Sequence, residues 1–184
     1  MNLSHHFLLS VPVVIEGYFE QSVVYLCEHD EAGAMGFIIN HALDIKLGDV
    51  FKQMSVIPGS LKNVHRNVIR GGPVDPQVGF VIHSPVEKNW GSTLDTGHGV
   101  SVSTSPEALI AIAKDKAPEK FFVAVGYAGW GAGQLEHELE QNAWLHCPAD
   151  TEILFDLPLD ERFKAVSDCL GIDVNLIVGN TGHA

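Results

Sequence analysis

The chain has 184 residues and carries 11 lysines and arginines against 23 aspartates and glutamates, a formal net charge of −12 at neutral pH. This length suits one domain with a hydrophobic core, and 46% hydrophobic against 18% charged residues excludes a disordered chain. The acidic balance disfavours direct nucleic-acid binding, because such proteins neutralise phosphates with clustered lysine and arginine.

The first part of the chain predicts strands. Residues 7–15 are apolar but interrupted by Ser10 and Pro12. They predict a buried strand, because no basic residue precedes them, as in a signal peptide, and they reach only about half the length of a membrane span. Residues 22–27 and 34–40 are β-rich runs, which we expect to pair through a turn containing Gly33.

The middle of the chain predicts a short helix and further strands. Apolar residues from Leu47 to Met54 follow helical spacing. Strands are predicted at 64–70 and 78–83, with a turn over 71–76, and at 92–94 and 100–104. A second helix should start after Ser105, with Pro106 in its first turn, and stop at Pro118.

The last third mixes both types of element. Residues 121–126 are apolar on both faces, as in a central strand. A glycine-rich loop over 127–133, a polar helix over 134–142, short strands at 144–147 and 153–155, a helix over 159–170 ended by Gly171, and a strand at 172–178 should follow. The order is not a regular alternation, so it predicts a single α+β domain over residues 1–184 with a mixed sheet.

The cysteines Cys27, Cys147 and Cys169 are odd in number and widely spaced, without a CxxC pair. This pattern predicts reduced thiols and no zinc-ribbon or thioredoxin-type site. We therefore expect a soluble cytoplasmic protein with no membrane span.

Residues 126–145, GYAGWGAGQLEHELEQNAWL, outline an anion cradle in which glycines precede a helix. The stretch contains no lysine or arginine, and its glutamates would repel a phosphate. Tight backbone turns, or an apolar pocket around Tyr127 and Trp130 with Gln134 as a polar anchor, stay open as alternatives. The helix lacks the HExxH pattern, so we expect no metal and no cofactor.

Two further places allow functional or structural interpretations. Cys27 and His29 share a strand face and allow a thiol nucleophile, or else a buried cysteine with a loop-capping histidine. Arg70, followed by two glycines, can hold a ligand carboxylate, or can pair with an internal one such as Glu28. His83 closes the next strand and can face the same rim.

The blocks SVVYLCEHDEAGAMGFIIN, RGGPVDPQVGFVIHS and GYAGWGAGQLEHELEQNAWL, followed by a GHA end, resemble the AlgH/YqgE family of bacterial proteins over residues 7–184. The resemblance implies a cytoplasmic protein with a bent, bifurcated sheet flanked by helices. Some members are named as transcriptional regulators of alginate synthesis. The family-typical residues that we expect to line a cleft are Glu28, His29, Asn40, Arg70, Gly71, Gly72, His83, Tyr127, Trp130, Gln134 and Glu136.

These observations favour a binding module for a small molecule or protein partner, whose cleft residues should converge on one concave surface. The first alternative is a transcriptional regulator that acts through a protein partner, since the charge and the lack of a basic recognition helix exclude direct DNA contact. The second is an enzyme that uses Cys27 and His29. The carboxylates Glu136 and Glu138 should face apart on their helix, which weakens an acid–base pair.

Overall fold

A computed structural model of the chain describes residues 2–11, 17–87 and 90–173. The described residues form ten strands, which are His6–Ser10 (β1), Val23–Asp30 (β2), Gly33–Ile38 (β3), Ala42–Lys46 (β4), Asn67–Arg70 (β5), Val74–His83 (β6), Thr93–Asp95 (β7), Ser101–Ser103 (β8), Phe121–Gly131 (β9) and Trp144–Pro148 (β10). The five α-helices are Leu47–Gln53 (α1), Pro106–Ala113 (α2), Gln134–Glu140 (α3), Thr151–Phe155 (α4) and Leu159–Cys169 (α5).

The strands form one branched sheet. Its order is β10-β1-β2-β3-β9-β6-β8-β7, and β5 pairs with both β4 and β9. Strand β9 therefore has three partners, of which β5 is parallel and β3 and β6 are antiparallel. The predicted α+β class with a mixed, bifurcated sheet flanked by helices is confirmed. The extent of the domain over residues 1–184 stays a prediction.

The chain divides into two compact units. Unit 1 comprises Met1–His41 with Ala128–Ala184, and unit 2 comprises Ala42–Tyr127. The core of unit 1 includes buried side chains such as Leu8, Val24 and Trp144. In unit 2, Phe51 from α1 and Ile112 from α2 pack with strand residues in a separate core cluster.

The predicted loop over residues 127–133 is wrong for its first part, because β9 continues to Gly131. The end of this strand alternates, with Ala128 and Trp130 buried and the glycines between and after them exposed. Strand β3 lies close alongside: a Cβ atom at Gly33 would overlap the carbonyl oxygen of Trp130. Gly33 thus permits the close approach of β3 and β9.

The predicted strand at residues 153–155 is also wrong. These residues lie in α4, and the Asp150 side chain caps this helix by accepting a hydrogen bond from the Glu152 backbone N–H at 2.7 Å. Strand β4 is not predicted, because most of its residues are exposed and show no apolar pattern. Several bounds differ as well: β1 ends at Ser10, β5 begins at Asn67, β6 begins at Val74 and α2 ends at Ala113.

The remaining expectations have mixed outcomes. Gly171, at a φ of 68°, follows the last helix as predicted. Most of the strand expected at 172–178 lies outside the described residues. In the part of the chain that the structure describes, no helix has the length and apolar character needed to cross a membrane. The three cysteines are free thiols.

Candidate functional site

The predicted cleft residues are divided between the two units. Those in unit 1 are Glu28, His29, Asn40, Trp130, Gln134 and Glu136, and those in unit 2 are Arg70, Gly71, Gly72, His83 and Tyr127. Their convergence on one concave surface stays a prediction. Within each unit, the contacts of these residues show what their polar groups do.

His29 joins three segments of unit 1. It is 3% exposed on β2, and its Nδ1 accepts a hydrogen bond from the Leu3 backbone N–H at 3.0 Å. The ring proton therefore resides on Nε2, which donates to Glu136 Oε1 at 2.8 Å. The His29 backbone N–H donates to Ser4 Oγ at 2.9 Å. His29 thus ties the N-terminal segment and α3 to β2.

Glu136 is the partner of His29 and keeps its charge. The pKa of its carboxyl is lowered by a hydrogen bond from its own backbone N–H and, to a lesser degree, by the His29 ring. Its side chain stays partly exposed on α3. The contact is therefore a hydrogen bond between a neutral imidazole and a carboxylate at the protein surface.

Glu138, on the same helix, collects three donors. Its Oε2 accepts hydrogen bonds from the indole N–H groups of Trp130 at 2.9 Å and Trp144 at 2.8 Å. Its Oε1 accepts from the Gln134 amide at 2.9 Å, and Gln134 Oε1 accepts from the Gly131 backbone N–H. Trp130 and Gln134 therefore use their polar groups internally.

Glu138 and Trp144 are not among the predicted site residues. A signal for them was available, because a buried indole N–H needs an acceptor and Gln134 and Glu138 are four residues apart on a helix. As expected, Glu136 and Glu138 serve different partners. The indole rings of Trp130 and Trp144 meet edge to face at 5.9 Å, and Phe19 packs against both.

Cys27 has the environment of a structural thiol. It is 2% exposed, its S–H donates to the Met35 carbonyl oxygen at 3.3 Å, and burial, with a smaller contribution from Glu28, raises its pKa to about 12. At neutral pH the sulfur is a protonated, poorly nucleophilic thiol. His29 already uses both ring nitrogens, so this geometry disfavours the pair as a nucleophile and its base. Glu28 is exposed on β2.

The two glycines after Arg70 occupy a backbone crossing. Gly71 and Gly72 are buried, and the Gly71 backbone N–H donates to the Val125 carbonyl oxygen at 2.9 Å. Gly126 has a φ of 72°, and a Cβ atom there would overlap the Gly72 carbonyl oxygen. The crossing gives the two glycines a structural role, and the pairing of Arg70 with Glu28 stays a prediction. A ligand carboxylate held by Arg70 stays a prediction.

Tyr127 and Asn40 also have internal partners. The Tyr127 ring packs edge to face with Phe80 at 5.8 Å in unit 2. Asn40 Oδ1 accepts from the Val23 backbone N–H, and its Nδ2 donates to the Gln21 carbonyl oxygen, each at 2.8 Å. Asn40 therefore holds the start of β2 in place.

His83 begins a buried polar chain in unit 2. It is fully buried, its Nδ1 donates to the Ser84 carbonyl oxygen at 2.7 Å, and its Nε2 lies 2.9 Å from Ser103 Oγ. Burial lowers the pKa of this imidazole. Thr93 Oγ1 lies 2.7 Å from Ser103 Oγ and donates to the Trp90 carbonyl oxygen, also at 2.7 Å. The rings of His83 and Trp90 meet at 5.0 Å, so this chain positions Trp90.

Trp90 forms part of a groove that the motifs do not predict. The groove follows α2 in unit 2 and has a volume of about 510 Å³. Ile110 is 39% exposed and lines the groove, because it does not lie on the core-facing side of the helix. An apolar residue at a solvent-facing position of α2 is the only sequence signal that we identify for the groove. The main lining side chains are Trp90, Glu107, Ile110, Ala111, Lys114 and Lys116.

The acidic and sulfur-bearing side chains do not assemble a metal centre in the described part of the chain. Among the described residues, no group of three or more histidine, cysteine, aspartate or glutamate side chains is placed to hold a metal ion. The helix α3 presents its carboxylates to His29 and to the two indoles instead.

Comparisons with known proteins agree over nearly the whole chain. The family model described as DUF179, AlgH-like, matches residues 7–175. A UPF0301 protein of Laribacter hongkongensis is 45% identical over 182 residues, covering 99% of this chain and 97% of the relative. The UPF0301 protein AlgH of Pseudomonas aeruginosa is 45% identical over 185 residues, covering 99% and 96%.

A solved structure shares the fold. The solution structure of the AlgH protein from Pseudomonas aeruginosa matches with a TM-score of 0.82 and 44% identity, and the match covers 100% of this chain and 97% of that one. The motifs, the branched sheet and these relatives agree, and the chain belongs to the AlgH-like family.

Proposed function

We propose that this chain is a binding module that holds a small molecule in the groove along α2. The observation that carries the proposal is the groove itself. Its volume of about 510 Å³ falls within the range typical of small-molecule sites, roughly 300–1,000 Å³. Its wall combines an aromatic ring and aliphatic side chains with a few charged groups, as such sites commonly do.

The state of the reactive side chains supports binding over catalysis. The Cys27 thiol is buried with a pKa of about 12, and both ring nitrogens of His29 have partners inside unit 1. His83 is fully buried and hydrogen-bonded at both nitrogens. A nucleophile or base needs an accessible reacting atom, which these groups do not offer.

The distribution of charge argues against direct contact with DNA, so a regulatory role would have to act through a partner other than DNA. Unit 1 contains 15 acidic and two basic side chains, a net charge of −13, whereas unit 2 contains eight acidic and nine basic ones, a net charge of +1. Neither unit has the basic excess that phosphate neutralisation requires. We expect no binding of duplex DNA in an anisotropy titration at low salt, and tight, salt-dependent binding would contradict this.

Octanol, a neutral apolar probe, tests the groove directly. We expect it to shift the ¹⁵N-indole NMR signal of Trp90 saturably in the full chain. The indole signals of Trp130 and Trp144 serve as internal references, because both N–H groups donate to Glu138 in unit 1. Ala111→Phe should fill the groove and abolish the shift of the Trp90 signal.

Ala32→Phe, the same substitution at an exposed turn, is the matched control and should leave octanol binding intact. An unmoved Trp90 signal, or a shift that survives Ala111→Phe in a folded variant, would overturn the proposed function.

A further inference from the structure

We propose that the groove along α2 takes an amphipathic anion, with its apolar chain along the helix and its carboxylate or phosphate between Lys114 and Lys116. This inference rests on the proposed function and specifies the ligand of the same site. Three observations support it: the opposite charges at the two ends of the groove, the hydrogen bonds around the lysines, and the apolar wall between the ends.

The two ends of the groove have opposite charge. Glu107 lies in the first turn of α2, and Lys114 caps its last turn. Seven residues of helix separate them, which is about 10 Å. The pKa of the Glu107 carboxyl is lowered by its own backbone N–H and by Ser105, so this end stays negative at neutral pH. An anionic group is therefore repelled from the Glu107 end and attracted to the lysine end.

The local hydrogen bonds leave the lysine ammonium groups as the dominant charges at their end. A helix C-terminus is normally negative because its last carbonyls lack partners. Here the Ile110 carbonyl accepts from the Lys114 backbone N–H at 3.0 Å, and the Ala111 carbonyl accepts from the Lys116 backbone N–H at 2.8 Å. The neighbouring Asp115 carboxylate accepts from Ser60 Oγ at 2.7 Å. The backbone thus opposes an incoming anion less than a bare helix end would. The Asp115 carboxylate keeps its negative charge beside the lysines, so the two ammonium groups leave this end with a net charge of about +1.

Lys114 is held in position and retains donors. Its Nζ donates to the Ile57 carbonyl oxygen at 2.8 Å. An ammonium group has three N–H donors, so others stay available for an oxyanion. The Ile57 side chain is 79% exposed, which extends the apolar surface next to the lysine end. An exposed apolar side chain beside a fixed ammonium suits a ligand that is itself amphipathic.

Two contacts inside unit 2 position the aromatic part of the apolar wall where the ligand chain would lie. Trp90 is fixed by the Thr93 hydroxyl at its carbonyl and by the His83 ring at its indole. Ile110 and Ala111 form the helix side of the groove. A pre-formed aromatic wall lowers the ordering cost of binding, so a simple alkyl chain is sufficient to occupy it.

The test compares octanoate with octanol and octyltrimethylammonium, which share the alkyl chain and differ in charge. Affinity is read from the Trp90 indole signal of the full chain. We expect octanoate to bind more tightly than octanol by several-fold, and the cation to bind most weakly. Lys116→Gln should weaken octanoate about threefold and Lys114→Gln/Lys116→Gln about tenfold, in line with exposed charge pairs. Octanol binding should not change.

Lys52→Gln removes one exposed charge from α1 in the same unit and is the matched control. It should leave octanoate binding unchanged. Lys116→Gln alone keeps the test valid if loss of the Lys114–Ile57 bond disturbs folding. Equal affinities for octanoate and octanol, or no effect of either lysine variant, would overturn the proposal that the ligand is an anion. The proposal that the groove binds a small molecule would remain. Failure of octanol to move the Trp90 signal would overturn the proposed function as well.

Discussion

The carboxylate of Glu138 holds three polar side chains of unit 1 together. One of its oxygens accepts hydrogen bonds from two indoles, and the other accepts from the Gln134 amide. Trp130 and Trp144 are almost fully buried, so their N–H groups would lose water as well as a partner if the carboxylate were removed.

Glu138→Ala should therefore lower the free energy of unfolding by about 2–4 kcal/mol, because two buried indole donors lose their acceptor. Glu138→Gln retains one oxygen for both indoles and should fall between this variant and the wild type. Chemical denaturation measures the difference. Glu140→Ala, at an exposed position of the same helix, is the control, and equal losses in both alanine variants would contradict the role of Glu138.

Gly126→Ala tests the backbone crossing. The variant combines a left-handed φ with an overlap against the Gly72 carbonyl oxygen, so we expect a loss of about 3 kcal/mol or more in unfolding free energy. Gly97 has a similar φ of 76° but open space where a Cβ atom would lie, and Gly97→Ala should cost only about 1 kcal/mol. Similar losses in the two variants would show that the crossing contributes nothing beyond φ.

His83 predicts a pH dependence. Burial lowers the folded-state pKa of His83 below the ordinary value of about 6.5. In acid, His83 therefore binds a proton more readily in the unfolded chain than in the folded one. The unfolding free energy should therefore be fully retained above about pH 6.5 and fall as the pH drops below it. Denaturation at several pH values should show a smaller fall in His83→Gln, and an unchanged fall would contradict the assignment.

At the scale of elements, the sequence predicts those whose side chains repeat one pattern. The apolar runs of β2 and β3 are correctly predicted for this reason, and the start of α2 at Pro106 is correctly predicted from the proline in its first turn, although the Ser105 side chain does not cap it. The end of β9 is not, because its glycines resemble a loop until β3 is placed beside it. Strand β4 carries mostly exposed side chains and gives no pattern to recognise.

The candidate site also has parts that local sequence patterns indicate and parts that they do not. Family motifs single out His29, Trp130 and Gln134, and the structure shows that their polar groups are engaged inside unit 1. A ligand-binding role for these residues stays a prediction. The groove combines Trp90 with side chains of α2 that are distant from it in the sequence, so no local spacing in the sequence encodes it. Long-range packing is the information that a single sequence does not carry.

The hydrogen bond from Thr93 to Trp90 predicts an effect on the groove. Thr93→Val removes a hydroxyl that donates to the Trp90 carbonyl, and Thr96→Val removes one that donates to Val100 in the next turn. Each variant should lose about 1 kcal/mol of unfolding free energy. Only Thr93→Val should also weaken octanoate binding, as measured at the Trp90 indole signal. Equal octanoate affinity in the two variants would show that Thr93 does not position Trp90.

At the scale of the whole molecule, the net charge of −12 is unevenly divided. Unit 1 carries −13 and unit 2 carries +1, so the groove of unit 2 and helix α3 of unit 1 belong to parts of the chain with very different net charges. The motif-rich residues of unit 1 sit in the strongly acidic part of the chain. This division of charge favours the groove over the motif residues as the place where an amphipathic anion binds.

Hydrogen–deuterium exchange of the full chain with and without octanoate tests this account most directly. We predict slower exchange over α2, Pro106–Ala113, and no change over α3, Gln134–Glu140, because the proposed ligand contacts α2 and not α3. Protection over α3 instead, or no protection over α2 at octanoate concentrations that saturate the Trp90 signal, would contradict the groove as the binding site.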